Sequence, residues 1–235
     1  MFAKLLLAAL SLTSLAAAAP GVRFVKRNGT IADRYINYRG DGSTGAGWPS
    51  IDQWGSFDQL WAANVPLMQK SCGWNGWGAD DSDAEISSIN TAIQQVAGET
   101  GVDSRFILAV MMQESKGCVR VITTNNGVVN PGLMQSHDGS GTCVGVNPCP
   151  QAQITQMIHD GVAGTSSGAG LQQLAQQAAS NTGGGAQTLY AAARLYNSGS
   201  ANYQDLDLGL GSTACYASDV ANRLMGWTLA TTQCA

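Results

Sequence analysis

From residue 86 onward the chain carries apolar residues at helical spacing, broken by short Gly-rich stretches; before that point no such period is visible. Ile86, Ile89, Ile93 and Val96 fall at i, i+3, i+7 and i+10, the stripe of an amphipathic helix. Ser82 and Glu85 just ahead form a capping box, in which hydroxyl and carboxylate satisfy orphan amides, and glycines at 98 and 101 end the run. Asp103 is placed to cap a second helix whose stretch 106–112 is apolar on every face, as in a helix enclosed by others. A short buried strand is the alternative for so apolar a run, and the Asp cap, the continuation through Gln113 and Glu114, and Gly117 favour helix. Further helices are expected over 150–160, 171–180, 186–196 and 215–227, the last with Tyr216, Val220, Leu224 and Trp227 on one face.

Residues 28–80 read differently. They are rich in Gly and aromatics, including Trp48, Trp54, Trp61, Trp74 and Trp77, and predict an irregular arm with one short helix near 57–63. Such tryptophans can stack on sugars, but the area an indole buries makes anchoring the arm to the core the favoured role. The expected fold is mainly α, with residues 81–235 as one helical domain around a central buried helix and the arm packed on it. The Gly-rich stretches at 161–170 and 183–185 are short enough to be loops rather than tethers.

The N-terminus reads as a secretory signal over 1–19: Lys4, an apolar run at 5–15, then small residues before Pro20. Lys26-Arg27 ends a candidate propeptide at 20–27, with a solvated basic pair as the alternative. Cleavage there would remove Lys4, Arg23, Lys26 and Arg27 and no carboxylate, taking the formal charge from -4 to -8. An acidic chain lacks the clustered cations that nucleic acid or anionic lipid requires. The expected protein is secreted, extracellular and monomeric, with neither a nucleic-acid nor a membrane partner.

Six cysteines in a secreted chain most simply make three disulfides, and fifteen pairings are open. Cys143 with Cys149 would clasp a short loop, and Cys215 with Cys234 would brace the last helix. The spacings lack paired CxxC knuckles and the chain has only His137 and His159, so no metal site and no cofactor is expected. Fully paired cysteines also argue against a thiolate nucleophile.

Glu114 carries the candidate chemistry. A carboxyl at the end of an apolar helix is desolvated, which favours its neutral form and suits a general acid that protonates a departing glycosidic oxygen. Taken alone, a structural glutamate paired with Lys116, Arg120 or Arg194 would be the better reading. The surrounding sequence reverses this, because three segments in order resemble glycoside hydrolase family 23, the soluble lytic transglycosylases and goose-type lysozymes. Residues 101–115, ending Gln113-Glu114-Ser115, are similar to that family's helix with its Glu-Ser pair. Gly132-Leu133-Met134-Gln135 resembles its GLMQ turn, and Leu195-Tyr196-Asn197-Ser198-Gly199 its A-Y-N-x-G segment.

The resemblance spans about residues 84–200 and leaves the arm unexplained. It implies a lysozyme-like helical fold and cleavage of a β-1,4-linked N-acetylhexosamine polymer, peptidoglycan or chitin. Glu114 would be the acid, with Ser115, Met134, Gln135, Tyr196 and Asn197 holding it or binding substrate. Departures lie at Pro131, before the GLMQ turn, and in a longer stretch between Glu114 and Gly132. An inverting hydrolase also needs a base about 6.5 to 9.5 Å from the acid. Asp138 is the candidate, against an equal reading as the turn residue of Asp138-Gly139. Without a base, the substrate's own 6-hydroxyl or acetamide would attack. The rival from another class is a lysozyme-like chitin- or wall-binding protein with no turnover, which the aromatic arm would suit.

Overall fold

A computed structural model describes residues 31–234. The segments read as a signal peptide and a dibasic propeptide site lie outside them. The described chain is mainly helical and holds three disulfides. Seven helices follow one another: α1 (Phe57–Trp74), α2 (Asp83–Thr100), α3 (Ser104–Glu114), α4 (Gln151–Ala163), α5 (Leu171–Ala179), α6 (Gly185–Ser198) and α7 (Tyr216–Leu224). Two-residue strands β1 (Thr124–Asn125) and β2 (Val129–Asn130) pair antiparallel between α3 and α4. No described helix is long and apolar enough to cross a membrane.

Local chemistry accounts for the helix limits. The Ser82 hydroxyl accepts from the Glu85 amide while the Glu85 carboxylate takes the Ser82 amide, and Gly101 ends α2 in the left-handed region at φ 73°. Asp103 caps α3 by accepting from the Arg105 amide. Every residue from Phe106 to Met112 is buried, so α3 is the enclosed helix that its uniform hydrophobicity predicts.

The short helix expected at 57–63 is a correction. α1 runs on to Trp74, with Leu60, Asn64, Leu67, Met68, Ser71 and Cys72 buried along one face. Two polar members hid that stripe. The Asn64 amide donates to the Leu60 carbonyl and the Ser71 hydroxyl to the Met68 carbonyl, so each gives a hydrogen back to its own helix. The last helix is also shorter than expected, ending at Leu224 rather than 227.

The rest of the arm is irregular apart from short 3-10 turns at Thr44–Ala46 and Ile51–Gln53. Trp48 and Trp54 are buried in the main core, whereas Trp74 is exposed. The Trp54 indole donates to the Tyr190 hydroxyl, which donates in turn to the Pro49 carbonyl. Farther up the arm, the Asn222 side chain accepts from the Ile36 amide and donates to the Ile36 carbonyl, and Tyr35 donates to Asp219. An extended segment without sheet partners is thereby satisfied by α7, and α7 is held in place.

The disulfides are Cys72–Cys118, Cys143–Cys149 and Cys215–Cys234. The second clasps a loop and the third ties the start of α7 to the C-terminal tail, both as expected. The first joins the end of α1 to the chain four residues beyond Glu114. Near it, the Arg120 guanidinium lies between the buried carboxylates of Asp81 and Glu85 and reaches the Asn147 side chain.

The 132–135 turn is seated on α4 by close approach. Gly132 has φ 73°, and a Cβ there would lie 2.6 Å from the Gly141 carbonyl oxygen. Within α4, a Cβ on Gly161 would lie 2.4 Å from the Met134 Cβ and 2.9 Å from the Tyr196 hydroxyl. Gly161→Ala is therefore expected to cost about 1–3 kcal/mol through overpacking. A lower urea midpoint would show it; an unchanged midpoint would mean that α4 does not press on this turn.

Candidate active site

Glu114 is the last residue of α3, and the turn after it fixes its direction. The Ser115 amide bonds to the Met111 carbonyl and the Ser115 hydroxyl takes the Gly117 amide. Glu114 itself is half-buried, so solvent reaches part of a residue whose carboxyl is otherwise packed in protein. The Tyr216 hydroxyl, from the first residue of α7, donates a short hydrogen bond to Glu114 Oε1. No described group bonds to Oε2.

Burial pushes the Glu114 carboxyl up to about 7, against the Tyr216 hydrogen bond and the charges of Lys116 and Arg223, which favour the ionised form. None of the three cations that could have paired with it lies within ion-pair distance among the described residues. Arg120 is committed to Asp81 and Glu85, Arg194 bonds the Thr213 carbonyl and the Asn197 side chain, and Lys116 donates to the Gln113 carbonyl at 3.2 Å. Burial also raises the Tyr196 and Tyr216 hydroxyls, with the Glu114 charge as the next cause in each case. The two phenols and the carboxyl thus form one electrostatic group.

Behind Glu114 stands a buried polar frame. The Gln113 amide nitrogen donates to Asp219 Oδ2 at 2.9 Å, and the Arg223 Nε donates to Gln113 Oε1 at 2.7 Å. Arg223 lies over the Trp227 ring at 4.5 Å, while no described group bonds to its Nη1. Burial lowers Arg223 to about 10 and Lys116 to about 7. It raises Asp219, which Tyr35 and Arg223 pull the other way.

The structure distributes the sequence candidates unequally. Tyr196 meets the 132–135 turn directly, its hydroxyl donating to the Met134 carbonyl at 2.8 Å. Asn197 accepts from Arg194 through Oδ1, and no described group takes its Nδ2. Ser115 and Met134 are fully buried: Ser115, read as helping to hold Glu114, caps the end of α3, and Met134, read as lining the groove, packs on Gly161 and offers its carbonyl. Gln135 is partly exposed, but its amide is engaged by Thr124 and by the Ile122 and Gly132 carbonyls. It holds the hairpin rather than presenting a free amide.

Asp138 lies in an exposed turn at φ 48°, its amide on the Val129 carbonyl and its carboxylate 3.7 Å from His137 Nε2. A metal has no foothold at the most ligand-like cluster, Cys72, Asp81 and Cys118, because both sulfurs are in one disulfide. No family model matches the chain, and no curated protein matches it either.

Tyr216 was missed because its interaction with Glu114 spans 102 residues. Its place on the apolar face of the last helix gave no sign of it. Phenylalanine at this position would delete a bond that favours the carboxylate, so Tyr216→Phe is expected to move the Glu114 midpoint upward. With only Glu85, Glu99 and Glu114 in the sequence, carbon-13 NMR of labelled glutamate carboxyls would resolve it. A midpoint that stays put would contradict the hydrogen bond.

Proposed function

We propose that this chain is a lysozyme-like, glycan-cleaving enzyme of the glycoside hydrolase family 23 type. It acts on a β-1,4-linked N-acetylhexosamine polymer with Glu114 as general acid. The observation that carries this reading is the setting of Glu114: solvent-reachable, desolvated enough to hold a proton near neutrality, and fixed through Oε1 by Tyr216. Oε2 is left to carry the proton to the glycosidic oxygen. Support also comes from convergence. Tyr196, in the last of the three segments that resemble the family, lies 62 residues from Met134 in the second, yet it bonds Met134 and shares its electrostatic surroundings with Glu114 in the first.

Proton transfer from Glu114 Oε2 to the bridging oxygen lets the C1–O bond break, with positive charge developing on the ring. Glu114 is then a carboxylate, held by Tyr216 and faced by Lys116 and Arg223. With Asp138 out on its turn, the substrate itself completes the reaction: its 6-hydroxyl oxygen attacks C1 while Glu114 takes back that hydrogen, leaving a 1,6-anhydro end. The Asn197 Nδ2 is a donor suited to a sugar acetamide. Three disulfides fit an oxidising, extracellular setting, and the negative charge favours a neutral polymer such as chitin at least as well as an anionic wall.

Mass spectrometry of products from purified peptidoglycan and from chitin oligosaccharides tests the proposal. Anhydro ends are expected; reducing ends would keep the acid and replace the substrate nucleophile with water. No product from either polymer, with binding retained, would overturn the enzyme reading in favour of a binding protein.

A further inference from the structure

Arg194 on α6 is completely buried, yet no described carboxylate lies within ion-pair distance of it; Asp207 acts on it from farther off. Its Nη1 donates to the Thr213 carbonyl at 2.8 Å, its Nη2 donates to Asn197 Oδ1, and no described group meets its Nε. Holding a guanidinium out of water on two neutral acceptors is costly, because neither carries a compensating charge. Although burial lowers its pKa, a guanidinium keeps its proton throughout the range in which proteins work. The Tyr216 ring centroid lies 5.9 Å from the Arg194 Cζ, within reach of a cation–π contact, and the Tyr216 hydroxyl bonds Glu114. One lasting cation therefore joins Asn197 on α6 to the tyrosine that holds the acid.

The three-residue spacing sets Arg194 and Asn197 on one face of α6. A guanidinium only donates, so the Asn197 atom that meets it has to be the oxygen, and the amide nitrogen has to face the other way. An unrestrained asparagine could turn over and present either edge; this one cannot without setting donor against donor. Asn197 is half-buried and its Nδ2 donates to no described group, so the edge left for a ligand is a donor. We infer that Arg194 is a positioning residue that sets the specificity of the site: by locking Asn197 as a donor, it selects N-acetylated sugar units over deacetylated ones. The inference rests on the glycan-cleaving reading and names the substrate chemistry within it. An acetamide offers a carbonyl oxygen to Nδ2, whereas the ammonium of a deacetylated unit only donates. The same positive charge behind the amide also repels that ammonium, so the wrong partner is both unpaired and disfavoured.

The test compares wild type, Asn197→Asp and Arg194→Met on chitin oligosaccharides and on their fully deacetylated counterparts, at mildly acidic pH where the free amines are protonated. Calorimetry reads binding and product analysis reads cleavage. Wild type should favour the acetylated form by about tenfold or more, the worth of one hydrogen bond. Asn197→Asp keeps the contact with Arg194 and turns the outward edge into an acceptor. Its affinity for the acetylated form should fall about tenfold, and that for the deacetylated form should rise by a similar factor. Arg194→Met frees the amide to turn over, so the preference should narrow from both sides. An arginine that merely braces α6 against the start of α7 would, when replaced, lower thermal stability and leave the preference in place, and that result would overturn the inference. Should Arg194→Met fail to fold, Asn197→Asp decides alone, and a preference equal to that of wild type overturns the inference. Failure of the enzyme reading looks different: no cleavage by wild type of either form, with the calorimetric preferences still shifting as expected. Wild type that cuts both forms equally well would instead overturn the inference and leave the enzyme reading standing, and wild type that binds neither form would overturn both.

Discussion

Arg120→Met is expected to destabilise the fold by about 3–5 kcal/mol, the cost of leaving buried charge without its partner. The guanidinium is almost fully buried and is bonded to two buried carboxylates, Asp81 and Glu85. Those carboxylates hold backbone as well: Asp81 accepts from the Val119 amide, and Glu85 accepts from the amides of Ser82 and Cys149. The cluster therefore joins the start of α2, the chain just after Glu114 and the disulfide loop. Burial already raises Asp81 to about 7 despite Arg120, whereas Glu85 is lowered because its amide and Arg120 contacts outweigh burial.

The sign of the pH dependence follows. A carboxyl whose folded pKa exceeds its unfolded value binds protons more tightly in the fold, so stability falls as pH rises from the unfolded value toward the folded one. Removing Arg120 raises both carboxyls, so the deficit of the variant should grow from pH 5 to pH 8. Urea denaturation at the two pH values measures it. An equal and small deficit at both would show that the ion pairs contribute little.

Glu114→Gln carries the largest expected effect on activity. Glutamine keeps the shape and can still accept the Tyr216 hydrogen bond, but it has no proton to donate at neutral pH. Loss of a general acid costs roughly 10²- to 10⁴-fold in rate. The same change should help the fold at higher pH. With a folded value of about 7 against an ordinary 4.5, Glu114 costs stability progressively as pH climbs between them, and an amide removes that cost. The variant should therefore match wild type near pH 4 and exceed it above pH 7. Loss of activity with gain in alkaline stability is a combination that a merely structural glutamate would not give.

The parts of this fold that were legible in the sequence are those decided by neighbours along the chain. The capping box at Ser82, the Asp103 cap and the uniformly apolar 106–112 stretch depend on residues within four positions, and α2 and α3 start and end accordingly. α1 was under-read because its buried face includes Asn64 and Ser71, whose hydrogen bonds turn inward. The hairpin lies in the stretch between Glu114 and Gly132 that the sequence marks only as longer, although Asn126-Gly127 there is a turn signal.

At the site, the acid could be singled out because an apolar helix announces its own burial. Its surroundings could not, since Tyr216, Asp219 and Arg223 come from a helix a hundred residues on. For the same reason the sequence puts the Met134 side chain in the groove, whereas the structure buries it. A motif marks which residues matter without saying whether a side chain or a carbonyl does the work, and here Met134 supplies a carbonyl to Tyr196.

The most direct measurement is release of soluble fragments from purified peptidoglycan and chitin by wild type and by Glu114→Gln. It should be followed across pH 4 to 8, with the variant's fold verified by circular dichroism. Acid catalysis by Glu114 predicts release by wild type that declines above about pH 7, and at least a hundredfold less from the folded variant. Equal release by the two proteins would contradict it.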